Sequence, residues 1–127
     1  MKHALLFLSF IFLLCGCQKM ESRLQGKFYC DTVDGMLYVE LLNGGNCIAY
    51  FNGGEEDAGY WHVLDGNEIS IIANVKLRKS SHISVSYWFD GHGTIKDADS
   101  FSVPVKRYRY SGFSSEEEMK TLYFNRR

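Results

Sequence analysis

The stretch Ile83-Ser-Val-Ser-Tyr-Trp-Phe-Asp-Gly91 (ISVSYWFDG) decides the fold class. Its apolar residues Ile83, Val85, Tyr87 and Phe89 occupy every second position, and serines lie between the first three. A period of two is typical of a β-strand with one buried face and one face in water. Asp-Gly after the run is a hairpin signal, because both residues tolerate the positive φ angles of tight turns. We therefore predict a half-buried strand that ends in a turn at residues 90–91.

Similar runs and turn signals recur about every ten residues along the chain. Turn residues cluster at positions 33–35, 43–45 and 65–67, and 12 glycines with 15% aromatic residues favour many short strands joined by tight turns. The predicted strands cover residues 24–30, 36–42, 46–52, 59–64, 68–73, 81–89, 93–96 and 100–110.

Short turns place sequence neighbours next to each other in the sheet, so the chain is predicted to be an all-β antiparallel meander. Closing the sheet on itself removes the exposed edges that would recruit other chains. We therefore predict a small, roughly eight-stranded barrel, with a two-sheet sandwich as the alternative.

The C-terminal region breaks this pattern. Ser114 and Ser115 precede three glutamates, residues 116–118, and Ser-x-x-Glu is a capping box for a helix N-terminus. We predict one short helix near the C-terminus. Residues 122–125 fit either a continuation of that helix or a closing strand.

Composition limits the function. A chain of 127 residues fits one domain, and 14 Lys and Arg against 15 Asp and Glu give no basic field for binding nucleic acid. The sequence has no nucleophile elbow, no His-Glu-x-x-His and no phosphate-binding glycine loop. We expect no catalysis, no cofactor and no metal site.

The N-terminus resembles a secretion signal. Residues 4–14 are apolar apart from Ser9 and follow Lys2, a run too short to span a membrane and suited to a signal peptide. Leu14-Cys15-Gly16-Cys17 resembles the lipobox of bacterial lipoproteins. The resemblance implies a signal peptide over residues 1–16, a lipidated Cys17 with a tether over residues 17–23, and a folded domain over residues 24–127. Gln18 after the anchor implies sorting to the outer membrane of a Gram-negative cell envelope.

The two ends of the predicted domain carry a second resemblance. Residues 24–28 (LQGKF) resemble the Gly-x-Trp motif that opens lipocalin-like barrels, with Phe28 in place of Trp, and Arg126 stands where those barrels place a basic residue. The chain resembles the small lipocalin-like, calycin-type lipoproteins of Bacteroidetes. The resemblance implies that Arg126 lies across the Phe28 ring and closes one end; the alternative is a solvated terminal charge.

An eight-stranded barrel is wide enough for its own side chains or for one small molecule. Trp61, His62, Tyr87 and Trp88 are the candidate lining residues of such a ligand site, and Arg107 and Arg109 are candidates at the barrel mouth for an anionic or aromatic partner. A regular strand would put both arginines on the face of Val103 and Val105, so either a bulge intervenes or the strand leaves the barrel there.

Two functions follow from this barrel. The first is a membrane-anchored lipoprotein that binds a small apolar or aromatic ligand. The alternative is a protein-binding or envelope-structural lipoprotein, such as an inhibitor-like docking module, with a filled barrel and no ligand.

Cys30 and Cys47 remain after the predicted cleavage. They are predicted on the first and third strands, which puts their backbones about 10 Å apart, beyond the roughly 7 Å limit for a disulfide. We predict two separate, buried thiols.

Overall fold

Eight antiparallel strands follow one another around a closed barrel in sequence order, and the last strand returns to pair with the first. The structure is a computed structural model that describes residues 20–127. The predicted meander and barrel are therefore confirmed, and the sandwich is excluded. The strands are β1 (Gly26–Thr32), β2 (Gly35–Leu41), β3 (Asn46–Phe51), β4 (Asp57–Val63), β5 (Glu68–Arg78), β6 (Ile83–Asp97), β7 (Ser100–Ser111) and β8 (Ser114–Arg126).

Alternation along the strands sets the inner and outer faces of the barrel. In β6, Val85, Tyr87 and Phe89 are buried, whereas Trp88 between them is 43% exposed. The period-two pattern of the opening stretch therefore marks the inner face, as predicted. The connection between β2 and β3 is a short 3-10 turn, Asn43–Gly45.

The predicted turn at residues 90–91 is wrong, because β6 runs without interruption to Asp97 and includes residues 93–96. Its pairing with β7 shifts register between Phe89 and Thr94, which marks a bulge. Gly91 and Gly93 serve close packing there instead of a turn: a Cβ at Gly91 would lie 3.0 Å from the Pro104 ring, and one at Gly93 would collide with the Ser102 carbonyl oxygen.

The predicted C-terminal helix is also wrong. Residues 114–126 form β8, which pairs with β7 from Ser111↔Ser114 to Ser100↔Asn125, so residues 122–125 belong to a strand. The glutamates that suggested a helix cap face basic residues across the hairpin. Glu117 lies 3.8 Å from Lys106, and Glu118 lies 3.5 Å from Arg107. Cross-strand charge pairs of this kind stabilise a sheet and outweigh the local capping signal.

A short helix lies instead at the other end of the described chain, over residues 20–24. This segment was predicted to be a patternless tether, with the first strand beginning at residue 24. Met20 and Leu24 stand one helical turn apart, and both pack against the core, where Leu24 is fully buried. The Glu21 carboxylate also accepts a hydrogen bond from the Val63 backbone N–H at 3.0 Å. The predicted anchor, Cys17, lies outside the described residues.

The strands are unequal in length. β1 to β4 have 6 or 7 residues, whereas β5 to β8 have 11 to 15. The four long strands therefore continue as an extension past the part of the barrel that the short strands complete. Cys30 and Cys47 are free and buried, which confirms the prediction of separate thiols.

Candidate functional site

Aromatic side chains fill the lumen. The ring centroids of Phe28 and Phe101 are 4.9 Å apart, those of Phe101 and Phe124 are 5.2 Å apart, and those of Phe51 and Tyr87 are 5.3 Å apart. All five side chains are buried. These are edge-on and offset stacking distances, so the rings contact one another directly. The space that a small ligand would take in a carrier barrel is occupied by the protein itself.

One end of the lumen, the Arg126 end, is closed by the helix and by Arg126. The predicted contact with Phe28 is present: the guanidinium carbon lies 4.6 Å from the ring centroid. The same guanidinium also binds four oxygen atoms of neighbouring segments, at distances typical of hydrogen bonds. They are the carbonyl oxygens of Gln25 (3.0 Å), Arg23 (2.8 Å) and Ala98 (2.8 Å) and the Asp99 carboxylate (3.2 Å).

The opposite end, the Asp34 end, is closed by a buried carboxylate. Asp34 lies in the turn between β1 and β2, and its side chain is 0% exposed. Arg107 of β7 donates to both of its oxygens, from Nε at 2.7 Å and from Nη2 at 2.9 Å. The Tyr87 hydroxyl of β6 donates to Oδ2 at 2.5 Å, and the Lys79 ammonium pairs with Oδ1. We call these four residues the Asp34 cluster.

Hydrogen bonding fixes the charge state of the Asp34 cluster. Burial alone would raise the pKa of Asp34, but hydrogen bonds from Arg107, Lys79 and Tyr87 outweigh it and hold the pKa well below the usual 3.8. The bond to Asp34 raises the pKa of Arg107 above its ordinary value. Burial, and then the neighbouring carboxylate, raise the pKa of Tyr87 to about 12. Asp34 is therefore ionised, and Tyr87 is a neutral donor, across the physiological range.

Sequence reasoning placed Asp34 in a turn and missed its role. Its partner Arg107 lies 73 positions away, which no local spacing rule connects. Arg107 did carry a signal, because a charged residue on the inner face of a strand needs a counter-charge nearby. The extra residues of the β6–β7 bulge lie on β6, and β7 pairs with β8 without a register shift from Val103 to Arg109. Both arginines therefore stay on the inner face, and the second predicted alternative applies in that β7 continues past the short strands. Arg109 lies on the same inner face, half-buried, opposite Glu116.

The structure does not bring the predicted ligand residues together in one pocket. Trp61 is buried and donates its indole N–H to the Leu42 carbonyl oxygen at 2.8 Å. Its neighbour His62 is exposed on the outer face. Tyr87 belongs to the Asp34 cluster, and Trp88 points outward.

Aromatic side chains cluster on the outside of the long strands, where Trp88 and Tyr110 are exposed and Tyr108 is half-buried. The rings of Trp88 and Tyr108 are 5.4 Å apart, and those of Tyr108 and Tyr110 are 6.4 Å apart. Lys106 of β7 pairs with Trp88 of β6 on one side and with Met119 of β8 on the other, so the three residues form one cross-strand row. Met119 is 64% exposed. We call Trp88, Tyr108, Tyr110 and Met119 the outer aromatic face. Exposed large apolar side chains grouped in this way, here around Lys106, are a candidate interaction surface.

No protein-family model, curated protein or solved structure matches the chain. Between residues 20 and 127, no three or more His, Cys, Asp or Glu side chains come together to hold a metal ion. In the same part of the chain, no helix is both long and apolar enough to cross a membrane. The function is therefore inferred from the lumen, the two ends and the outer aromatic face.

Proposed function

We propose that this protein is a non-catalytic, lipid-anchored cell-envelope protein whose barrel binds another protein through its outer aromatic face. The filled lumen carries this proposal. Small-molecule sites are cavities of about 300 to 1,000 Å³ that enclose most of the ligand. Here the packed rings of Phe28, Phe51, Phe101 and Phe124 occupy the interior, and polar contacts close both ends. The filled barrel supports the docking alternative over the carrier.

In β7 and β8 the extension carries charged residues on its inner face, whereas β5 and β6 keep an apolar inner face with Val75 and Val85; the β7–β8 part supports binding on the outside. On its inner face, Arg107 and Arg109 of β7 stand opposite Glu118 and Glu116 of β8. On its outer face lie the rings of Tyr108 and Tyr110 with Trp88 and Met119. A sheet buries its apolar face, so this arrangement favours a partner that covers the outer side. Trp, Tyr and Met are also enriched in protein interfaces.

We further propose that Cys17 is the lipid anchor and that the protein is a lipocalin-like lipoprotein of the outer membrane in a Gram-negative bacterium of the Bacteroidetes. The lipobox-like Leu14-Cys15-Gly16-Cys17 supports this. Each buried CH₂ of an acyl chain contributes about 0.8 kcal/mol, so two or three chains hold a protein firmly on a bilayer. The described helix includes residue 20, three positions after Cys17 in the sequence, which would keep the Arg126 end close to the membrane.

The anchor is tested by replacing each cysteine of the pair separately. Cys17→Ser should abolish labelling by a clickable fatty acid and move the protein from the detergent phase to the aqueous phase. Cys15→Ser is the matched control, because Cys15 would leave with the signal peptide, and it should remain lipidated. A Cys17→Ser protein that still carries the label would refute the anchor.

The docking face is tested by photocrosslinking in cells. A photoreactive amino acid at position 108 should give a discrete crosslinked protein, and Trp88→Ala in the same chain should reduce its yield at least tenfold. Position 50 is the control, because Tyr50 points outward from β3, four strands from β7 in either direction around the barrel. Equal crosslinking at positions 50 and 108 would contradict a specific face. A small molecule retained at one per chain in native mass spectrometry would favour the carrier.

A further inference from the structure

The barrel closes through a short seam between β1 and β8. Only two residue pairs join them, Phe28↔Arg126 and Tyr29↔Asn125. Beyond these pairs, Cys30 to Thr32 of β1 have no register partner on β8. A hollow of about 340 Å³ lies there, lined by both strands, including Cys30 and Leu122. The outer part of the β1–β2 hairpin is therefore not fastened to β8 by the backbone ladder of the sheet.

The Asp34 side chain fastens the tip of that hairpin. It reaches past β8 to Arg107 of β7, to Tyr87 of β6 and to Lys79 in the connection between β5 and β6. None of these three donors belongs to the hairpin. They would keep their positions if the tip moved away. Arg107 would then keep only Glu118, at 3.5 Å, and Lys79 would lose Asp34, its one ion-pair partner among the described residues. The site would then hold two cations, Arg107 (12% exposed) and Lys79 (35% exposed), beside the single carboxylate of Glu118, and this excess of positive charge would attract an anion.

The donors match the shape of a carboxylate. Oδ1 of Asp34 meets Nη2 of Arg107 at 2.9 Å and the Lys79 ammonium, while Oδ2 meets Nε of Arg107 at 2.7 Å and the Tyr87 hydroxyl at 2.5 Å. Each oxygen therefore receives two donors. The parallel pair of bonds from Arg107 is the bidentate geometry that recognises a planar two-oxygen anion. A tetrahedral phosphate would bring a third oxygen for which this set of donors leaves no partner.

We propose that Arg107, Lys79 and Tyr87 form a carboxylate-binding site that Asp34 occupies in cis, and that a ligand carboxylate takes its place when the tip of the β1–β2 hairpin swings out. This site lies on the inner face of the extension and goes beyond the proposed docking function, because it does not depend on the outer aromatic face.

Chemical rescue of Asp34→Ala tests the site. This variant lacks only the carboxylate, and formate has the size of the missing group. Sodium formate should stabilise the variant saturably in urea unfolding, raising the ratio of folded to unfolded protein about tenfold at ten times its dissociation constant. Sodium chloride at equal ionic strength should not do so. The wild-type protein should gain nothing from formate beyond the chloride effect, because Asp34 fills its site.

Two controls define what would overturn the proposal. Asp99→Ala also deletes a carboxylate that binds an arginine, Arg126, but this one is 78% exposed, and formate should not rescue it. If formate stabilises Asp34→Ala no more than chloride, or rescues Asp99→Ala equally, the site is refuted. If inorganic phosphate rescues Asp34→Ala as well as formate does, the assignment to carboxylates is refuted.

A second variant decides the matter if Asp34→Ala does not fold. Asp34→Asn keeps the shape of the side chain but not its charge, so formate should compete with the amide for Arg107 and release the hairpin tip. Hydrogen exchange at the backbone amides of residues 32–35 should then rise saturably with formate, by about tenfold at ten times its dissociation constant. Exchange that stays at the chloride value would overturn the proposal.

Discussion

Removing the Arg107 guanidinium should destabilise the protein more than any other single charge deletion on the inner face of the extension. Arg107→Ala deletes two charge-assisted hydrogen bonds, of 2.7 and 2.9 Å, to a carboxylate that is 0% exposed. Lys79 and Tyr87 remain, so part of the compensation survives. Breaking a buried ion pair by deleting one partner costs about 3 to 5 kcal/mol, and we expect a loss of unfolding free energy in this range.

Equilibrium unfolding in urea measures this loss, and the neighbouring arginine provides the control. Arg109 lies two residues further along the same inner face and makes no ion pair or hydrogen bond with another side chain in the described part of the chain. Arg109→Ala should cost less than about 1 kcal/mol, as is usual for partly solvated charges. The double variant Asp34→Ala/Arg107→Ala should be less destabilised than the sum of the two single variants, because neither the Asp34 carboxylate nor the Arg107 guanidinium is left facing a deleted partner. A loss below about 1 kcal/mol for Arg107→Ala, or equal losses at both arginines, would refute the role assigned to the Asp34 cluster.

Three further outcomes follow from the Asp34 end and the core. The folded pKa of Asp34 lies below 3.8, so the contribution of Asp34 to stability is present above pH 3.8 and is lost as the pH drops towards the folded pKa. At pH values below about 4, the urea concentration at the unfolding midpoint should therefore decrease, and it should decrease less in Asp34→Asn. Tyr87 has a raised pKa of about 12, so its contribution to stability is complete below pH 10 and is lost as the pH rises through 12. Tyr87→Phe should therefore lose less stability at alkaline pH than the wild-type protein does. Burial raises the pKa of the Cys47 thiol to about 11, and Cys30 is buried too, so an Ellman assay of the native protein should detect neither thiol until urea unfolds the chain.

The fold was predictable because its decisive signals are local. A strand with one buried face places apolar residues at every second position, and β6 does so with the buried Val85, Tyr87 and Phe89. Tight turns force neighbouring strands to pair, which gives the meander without knowledge of long-range contacts. The contact between Arg126 and Phe28 was predicted from a resemblance at the two ends of the domain. These residues lie on the first and last strands, which must pair when the barrel closes.

The errors arose where a long-range partner overrode a local signal. Ser114 to Glu118 satisfy a helix cap locally, but the basic residues of β7 lie directly opposite them and hold a strand. Asp90-Gly91 is a residue pair typical of tight turns, but here Gly91 lies within a strand and leaves space for Pro104 of the neighbouring strand. Asp34 is the clearest case. An aspartate in a turn is expected to be solvated, and only the folded chain brings Arg107 and Lys79 to it.

The two closed ends of the barrel differ in what holds them, and this difference assigns them separate roles. Arg126 binds mainly backbone carbonyl oxygens, including those of Arg23 and Gln25 next to the helix, so it fixes the segment that leads to the proposed anchor. The Asp34 end is held by side chains, and a carboxylate can be exchanged for another, whereas a backbone carbonyl cannot. Arg107 of the Asp34 cluster lies opposite Glu118, and the eight residues from Glu118 to Arg126 correspond to about 26 Å along β8, so the two ends are well separated. With a lipid at residue 17, the exchangeable site and the outer aromatic face would point away from the bilayer, where a partner can reach both.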